Sequence, residues 1–319
     1  MPSKPKVLQI PALMPWLQEQ LNARYDVVRL PPEGPERARL LAEQGDAFKA
    51  LVTSAAVGLD KTVVEALPRL RVISSFGVGL DKIDVPHAEQ RGIAVGYTPD
   101  VLNDCVADLA FGLMLDIARR VSQADRYVRT QQWGQPAAQP FPLGFKVSGA
   151  RLGIVGLGRI GRTIARRAQG FDMAVRYHSR HVVSDVPWPH EPQLLDLAHW
   201  ADFLVLITAG GAGTRHLVNA QVLDALGAQG FLINVSRGTV VDEAALVQAL
   251  QAGRIAGAGL DVFEREPQVP PELLVLDNVV LTPHMASATL QTRQAMAQRV
   301  LDNLDAFWAG QPLPSPAFV

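Results

Sequence analysis

Along the chain, short apolar runs of three to six residues, bounded by turn residues, alternate with longer stretches of helical period. That alternation is the pattern of an α/β architecture with a parallel sheet. In the first third it predicts strands at Val7–Ile10, Val27–Leu30, Ala50–Val52, Val72–Ser75 and Ile93–Val95, with amphipathic stretches such as Met14–Arg24 and Thr62–Leu67 between them. A second series starts at Leu152–Val155. It continues through Ala174–Tyr177, Phe203–Ile207, Phe231–Val235, Gly257–Val262 and Val279–Leu281.

Two long helices punctuate this rhythm. One begins near Asn103, a candidate N-cap, and carries Val106, Leu109, Ala110, Leu113 and Ile117 as a stripe at helical spacing. The other runs from about Thr289 to Trp308 with Met296, Val300, Leu304 and Phe307 on one face, and stops at Gly310-Gln311-Pro312. The Gln-, Pro- and Ala-rich stretch Gln131–Pro142 reads as an exposed loop or arm.

A length of 319 residues suggests about two domains. The formal net charge of −1 offers no basic excess for nucleic acid or an anionic membrane. No apolar stretch reaches the ~18 residues of a membrane helix; the most apolar one, Cys105–Ala118, is broken by Asp108 and Asp116. No signal-peptide core forms after Lys4 and Lys6, and the one cysteine, Cys105, has no internal partner. A cytoplasmic protein is expected.

The segment Arg151–Gly161 (RLGIVGLGRIG) runs a buried strand into a glycine-rich turn, and a helix, Ile160–Ala168, follows at once. Gly156 permits the tight turn, Gly158 lets backbone approach a pyrophosphate, and Gly161 allows close helix–strand contact, so Arg151–Arg180 predicts a dinucleotide-binding βαβ unit for a nicotinamide or flavin nucleotide. Leu157, Arg159 and Ile160 complete the turn. At the end of the next strand an NAD site carries a carboxylate for the ribose 2′-OH. Here the residues are His178, Ser179 and Arg180. They are either solvated residues at a strand end or the ligands of a 2′-phosphate, and the missing acid together with the added base favours NADP(H) over NAD(H).

Polar residues also gather at the ends of three later strands: Ser236-Arg237-Gly238, Glu264-Arg265-Glu266 and Thr282-Pro283-His284. A cation, an acid and a histidine at the carboxyl edge of one sheet are what a carbonyl reductase needs. Singly, Arg237 reads equally as a helix-flanking charge, His284 as a turn residue, and Glu264 and Glu266 as solvated acids. No metal-ligand cluster stands out.

These residues resemble the D-2-hydroxyacid dehydrogenases. The resemblance is carried by Ser75–Asp84 (SFGVGLDKID), Thr98–Asn103 with Val106–Asp108, Gly156–Gly161, Asn234–Gly238, Gly259–Pro267 and Thr282–His284. Gly77–Asp84 and Asp125–Arg129 before Trp133 are most similar to the NADPH-dependent hydroxypyruvate, glyoxylate and hydroxyphenylpyruvate reductases. The resemblance implies two Rossmann-like doubly wound domains, an NADP(H)-binding one at 100–285 inserted into a substrate domain of 1–99 and 286–319, with the oxo acid in the cleft between them. It implies Arg237, Glu266 (rather than Glu264) and His284 as catalytic residues. Val78, Gly79 and Leu102 would line the substrate with Arg237. Val106, Thr208, Val235, Ser236, Asp261 and His284 would join the glycine turn around the cofactor, Asp261 facing the nicotinamide carboxamide. A homodimer is implied, with Gln131–Pro142 reaching toward the partner. The alternatives are an NAD-dependent member acting on phosphoglycerate, lactate, formate or 2-ketogluconate, and a dinucleotide-sensing, corepressor-like protein; the expected absence of a regulatory domain after Trp308 and of extra flanking segments weighs against some of these. One departure stands out: Ala209–Gly213 (AGGAG) replaces a proline-containing turn, which predicts a more mobile wall beside Thr208 and Ala209.

Overall fold

The computed structural model describes residues 4–135 and 139–318, so part of the Gln131–Pro142 stretch lies outside the described residues. The chain divides into two compact units. One comprises the residues up to Leu102 together with those from Ala288 on; the other is the continuous stretch Asn103–Ser287. The limits that the resemblance implied are 99/100 and 285/286.

In the first unit, β1 (Lys6–Gln9), β2 (Asp26–Arg29), β3 (Ala50–Ser54), β4 (Val72–Phe76) and β5 (Ala94–Gly96) form a sheet of order β2-β1-β3-β4-β5. All its pairs are parallel. The helices α1 (Pro15–Arg24), α2 (Pro35–Gln44), α3 (Lys61–Glu65) and α4 (Val85–Gln90) connect the strands. Every residue of β3 and β4 is buried, as central strands covered on both faces must be.

The second unit opens with α5 (Asn103–Arg119) and α6 (Val121–Arg129). It continues β6 (Arg151–Val155), α7 (Arg159–Gln169), β7 (Ala174–His178), α8 (Leu194–Trp200), β8 (Phe203–Leu206), α9 (Ala220–Leu226), β9 (Phe231–Asn234), α10 (Glu243–Gln251), β10 (Gly257–Leu260), α11 (Pro271–Leu274) and β11 (Val279–Leu281). The sheet order is β11-β10-β9-β8-β6-β7, all parallel. Outside β7 the chain returns as a single parallel bridge, Tyr177 to His190, made by Tyr177 N–H to Pro189 O (3.0 Å) and Glu191 N–H to Tyr177 O (2.7 Å). Counting that bridge as a residual strand gives the doubly wound order in which the third strand lies outside the second. Arg167 of α7 forks onto Asp104 (3.1 Å) and Asp108 (2.8 Å) of α5, tying the two helices together.

The last helix, α12 (Leu290–Trp308), belongs to the first unit and buries Met296, Val300 and Leu304. Phe307 is only half-buried and packs edge-on against Trp308.

Several element limits differ from the pattern. Asn103 is the first helical residue rather than the cap. Arg120, at φ +57°, breaks the long apolar stripe and turns the chain into α6, a separate helix that lacks a buried residue. Strands β8, β9 and β10 stop one or two residues early because Ile207, Val235, Asp261 and Val262 already belong to the turns that leave the sheet. Thr289 caps α12, its side chain accepting from Thr292 N–H at 3.3 Å.

Asp202, just before β8, closes the start of β6. Its carboxylate accepts from Arg151 N–H at 2.8 Å and from Arg151 Nη2 at 2.7 Å. Burial pushes this carboxyl up, but the hydrogen bonds and charge of Arg151 outweigh it and hold it below its ordinary range. A carboxyl depressed by folding stabilises the protein above its unfolded pKa, and that stabilisation is lost as pH falls through the folded value. The Arg151 side chain is 48% exposed, so after solvent screening the contribution is about 1 kcal/mol or less. Asp202→Asn should lower the melting temperature by about 2 °C or less at neutral pH. The gap should close as pH drops below the carboxylate range; a gap of unchanged size in acid would contradict this account.

Candidate active site

At the end of β6 the three glycines of the turn do different work. Gly156 has φ +100°, and a Cβ on it would lie 2.9 Å from Ile207 O and 3.0 Å from Thr208 Cα, at the end of β8. A Cβ on Gly161 would sit 2.3 Å from Gly156 O. Both positions need glycine for the protein's own packing. Gly158 does not. A Cβ there meets nothing within 4 Å. Gly158 is the N-cap of α7, where first-turn N–H groups lack intrahelical acceptors. This open cradle fits a pyrophosphate, and it lies between β6 and β8, where the strand order switches. Leu157 is buried, Ile160 half-buried and Arg159 exposed along the same turn; Thr208 is half-buried beside it, and Val106 is buried in α5. The Ala209–Gly213 segment leads into a 3₁₀ turn, Ala212–Thr214, closed by Thr214 Oγ1 donating to Ala209 O at 2.7 Å.

The three later strand ends converge through the backbone. His284 follows β11 at φ +50°, a left-handed conformation that histidine adopts more readily than most residues. Asp261, fully buried after β10, holds that turn. Its Oδ1 accepts from Thr282 Oγ1 (2.7 Å) and Met285 N–H (2.8 Å), and its Oδ2 from Ala286 N–H (2.9 Å). Its backbone carbonyl takes His284 N–H at 2.8 Å. The His284 ring then lies with Nδ1 2.7 Å from Glu266 Oε2. Because a carboxylate only accepts, Nδ1 carries a proton and Nε2 is the nitrogen left to exchange one. Glu266 is fixed in turn, its Oε1 accepting from Phe263 N–H at 3.1 Å.

Glu264 is directed elsewhere. Its Oε1 takes Arg215 Nη2 at 2.7 Å and His216 Nε2 at 3.1 Å. Burial raises this carboxyl, but hydrogen bonds from His216 and Arg215 outweigh burial and hold it below its ordinary range. Its backbone N–H reaches Glu243 Oε1 at 3.2 Å; burial, and to a lesser extent the Glu264 charge, push the Glu243 carboxyl up.

Arg237, half-buried after β9, donates from Nη1 to Ser236 O at 2.8 Å. The buried Asn234 holds the turn from both sides. Its Oδ1 accepts from Ser236 N–H (3.1 Å) and Ser236 Oγ (2.7 Å), and its Nδ2 donates to Arg237 O (3.0 Å). Val235 and Ser236 are buried there. Gly238 makes the closest approach of the region: a Cβ would fall 1.9 Å from Phe263 C and 2.3 Å from Glu264 N. Asn234, Gly238, Thr282 and the Arg215–His216 pair are working residues to which the sequence pattern assigned no role. For Asn234 and Gly238 the signal was an Asn and a Gly on either side of Val235-Ser236-Arg237; Thr282, Arg215 and His216 carried none.

At the end of β7, His178 Nδ1 donates to Glu191 O at 3.0 Å, Ser179 Oγ donates to His181 O at 2.6 Å, and Arg180 is exposed. In the first unit, Val78 and Gly79 follow Gly77, whose N–H donates to Thr98 Oγ1 at 3.1 Å. Val78 and Gly79 are half-buried, and Leu102 is buried.

Gly238→Ala should push the Phe263–Glu266 segment away from the Arg237 turn. A misplacement of about 1 Å can cost on the order of 100-fold in rate, so kcat should fall by that order while dinucleotide affinity changes little. Unchanged kcat would show that the close approach is incidental.

Residues 111–286 match the family model described as D-isomer specific 2-hydroxyacid dehydrogenase, NAD binding domain. The chain is 46% identical over 310 residues to glyoxylate/hydroxypyruvate reductase A HPR2 of Arabidopsis thaliana, covering 97% of this chain and 98% of that protein. It is 44% identical over 310 residues to hydroxyphenylpyruvate reductase of Plectranthus scutellarioides, with the same coverage. Among solved structures, the NADPH-dependent glyoxylate/hydroxypyruvate reductase SmGhrB of Sinorhizobium meliloti, in complex with NADP and malonate, superposes with a TM-score of 0.91 at 42% identity, over 99% of this chain and 97% of that one. The chain therefore belongs to the D-isomer specific 2-hydroxyacid dehydrogenase family, as an oxidoreductase that acts on 2-oxo and 2-hydroxy acids with a nicotinamide dinucleotide.

Proposed function

We propose that the protein reduces a small 2-oxo acid (glyoxylate, hydroxypyruvate or an aryl pyruvate) to the D-2-hydroxy acid with NADPH. The observation that carries this reading is the His284–Glu266 pair at 2.7 Å, set beside the Arg237 turn at the carboxyl edge of the nucleotide-binding sheet. The nicotinamide nucleotide supplies a hydride to C2 of the oxo acid. Arg237 holds the substrate carboxylate and polarises the carbonyl. The Nε2–H of His284 delivers a proton to the carbonyl oxygen as negative charge develops there, and Glu266 keeps the ring oriented and balances the imidazolium. Asp261 has used three of about four acceptor positions and keeps one for the nicotinamide carboxamide. In the first unit, the N–H groups of Val78 and Gly79 find no protein acceptor among the described residues; we assign them to the substrate carboxylate, with Leu102 against the substrate.

NADPH is preferred in this reading because β7 ends in His178-Ser179-Arg180 and brings no carboxylate to the ribose. The Sinorhizobium meliloti neighbour, named as NADPH-dependent, supports the same choice. A homodimer is supported by α6, which buries none of its residues and leaves Val121 and Val128 exposed. No helix among the described residues is long and apolar enough to cross a membrane; the single cysteine, Cys105, supports a cytoplasmic location.

Steady-state kinetics with glyoxylate, hydroxypyruvate, hydroxyphenylpyruvate and 2-ketogluconate, each with NADPH and NADH, test the assignment. Turnover of at least one acid, faster with NADPH, is expected; no turnover with either nucleotide would overturn it. His284→Gln should lower kcat by about 10²–10⁴ with NADPH binding nearly intact. Arg237→Lys should raise the oxo-acid KM by about tenfold, because a point charge cannot replace the bidentate fork. Light scattering after size exclusion should give the mass of two chains, and a single-chain mass would exclude the dimer.

A further inference from the structure

The segment that leaves β7 has a second guanidinium beside it, from a different element. Arg162 is the fourth residue of α7, one position past Gly161. Its side chain reaches across to the segment after Arg180, where Nη2 meets Ser184 O at 3.5 Å, the weak end of hydrogen bonding. The Arg162 side chain has no other acceptor among the described residues, and the Arg180 guanidinium has none. Ser179 is already engaged, with Oγ donating to His181 O and its carbonyl accepting from His190 Nε2 at 3.0 Å. The acid in this stretch, Asp185, follows Ser184 and forms no ion pair with Arg162. Arg180 within residues 179–184 and Arg162 beside them are thus two guanidiniums on one segment, and neither forms an ion pair among the described residues.

We propose that Arg162 is a specificity-determining residue that binds the 2′-phosphate of NADP(H) together with Arg180; this rests on the NADPH reading above. A phosphate monoester presents three acceptor oxygens and close to two negative charges. One guanidinium fork engages two of those oxygens, and a second, from a different element, takes the third. A ribose with a free 2′-OH offers neither that charge nor that geometry, so Arg162 discriminates between the nucleotides. Ser179, its hydroxyl hydrogen already committed, contributes less than Arg162 does.

Calorimetric titration with 2′,5′-ADP and 5′-AMP isolates the point, because the two probes differ only in the 2′-phosphate. The unchanged protein should bind 2′,5′-ADP more tightly. Arg162→Gln should weaken 2′,5′-ADP by about tenfold or more and leave 5′-AMP unchanged, and Arg180→Gln should do the same. If the unchanged protein shows no preference for 2′,5′-ADP, the NADPH reading fails and takes this inference with it. If the preference is present and lost in Arg180→Gln but kept in Arg162→Gln, the inference alone fails. Equal weakening of both probes by Arg162→Gln would make the residue a tether for the Ser184 segment and also overturn it.

Discussion

The chemistry of the second unit depends on one buried carboxylate. A charged group without solvent is costly unless its oxygens are satisfied, and Asp261 is satisfied by three donors that all come from residues 282–286. Meeting its own electrostatic need therefore shapes the next strand's exit. The backbone is drawn in and His284 is held in a left-handed conformation. A histidine in an ordinary extended exit would have no such constraint on the direction of its ring.

The same economy governs the neighbouring turns. Asn234 satisfies the backbone on both sides of Arg237, and the missing side chain of Gly238 lets that turn lie against the segment carrying Glu266. Main-chain contacts thus place a cation, an acid and a base on adjacent strand ends. Rigid placement of this kind is what electrostatic catalysis requires, since dipoles fixed in advance need no reorganisation as charge develops.

Much of this was legible in the sequence. The strands of both sheets follow from apolar runs, and the βαβ turn from Gly156, Gly158 and Gly161 in their strand–helix context. What pattern reading lost was the break at Arg120 that makes α6 a separate helix, since a left-handed residue leaves no mark in hydrophobic spacing. The residual strand at His190 is too short to register. Spacing alone does not separate Glu264 from Glu266, which only the resemblance told apart; in the structure Arg215 and His216 claim the first and His284 the second. Asp261 could be noticed as a motif residue, yet its donors lie more than twenty positions away, beyond the reach of any local rule.

The single bridge at His190 has an evolutionary consequence. Where a full strand would pair along the whole edge of β7, here two backbone hydrogen bonds about Tyr177 form the bridge, and side-chain bonds from His178 Nδ1 to Glu191 O and from His190 Nε2 to Ser179 O supplement it. The chain between Ser179 and Pro189 is thereby released from the alternating apolar pattern of a strand. On the proposed reading this stretch borders the ribose, so substitutions in it would alter which ribose is preferred without breaking the hydrogen bonds of the sheet behind it.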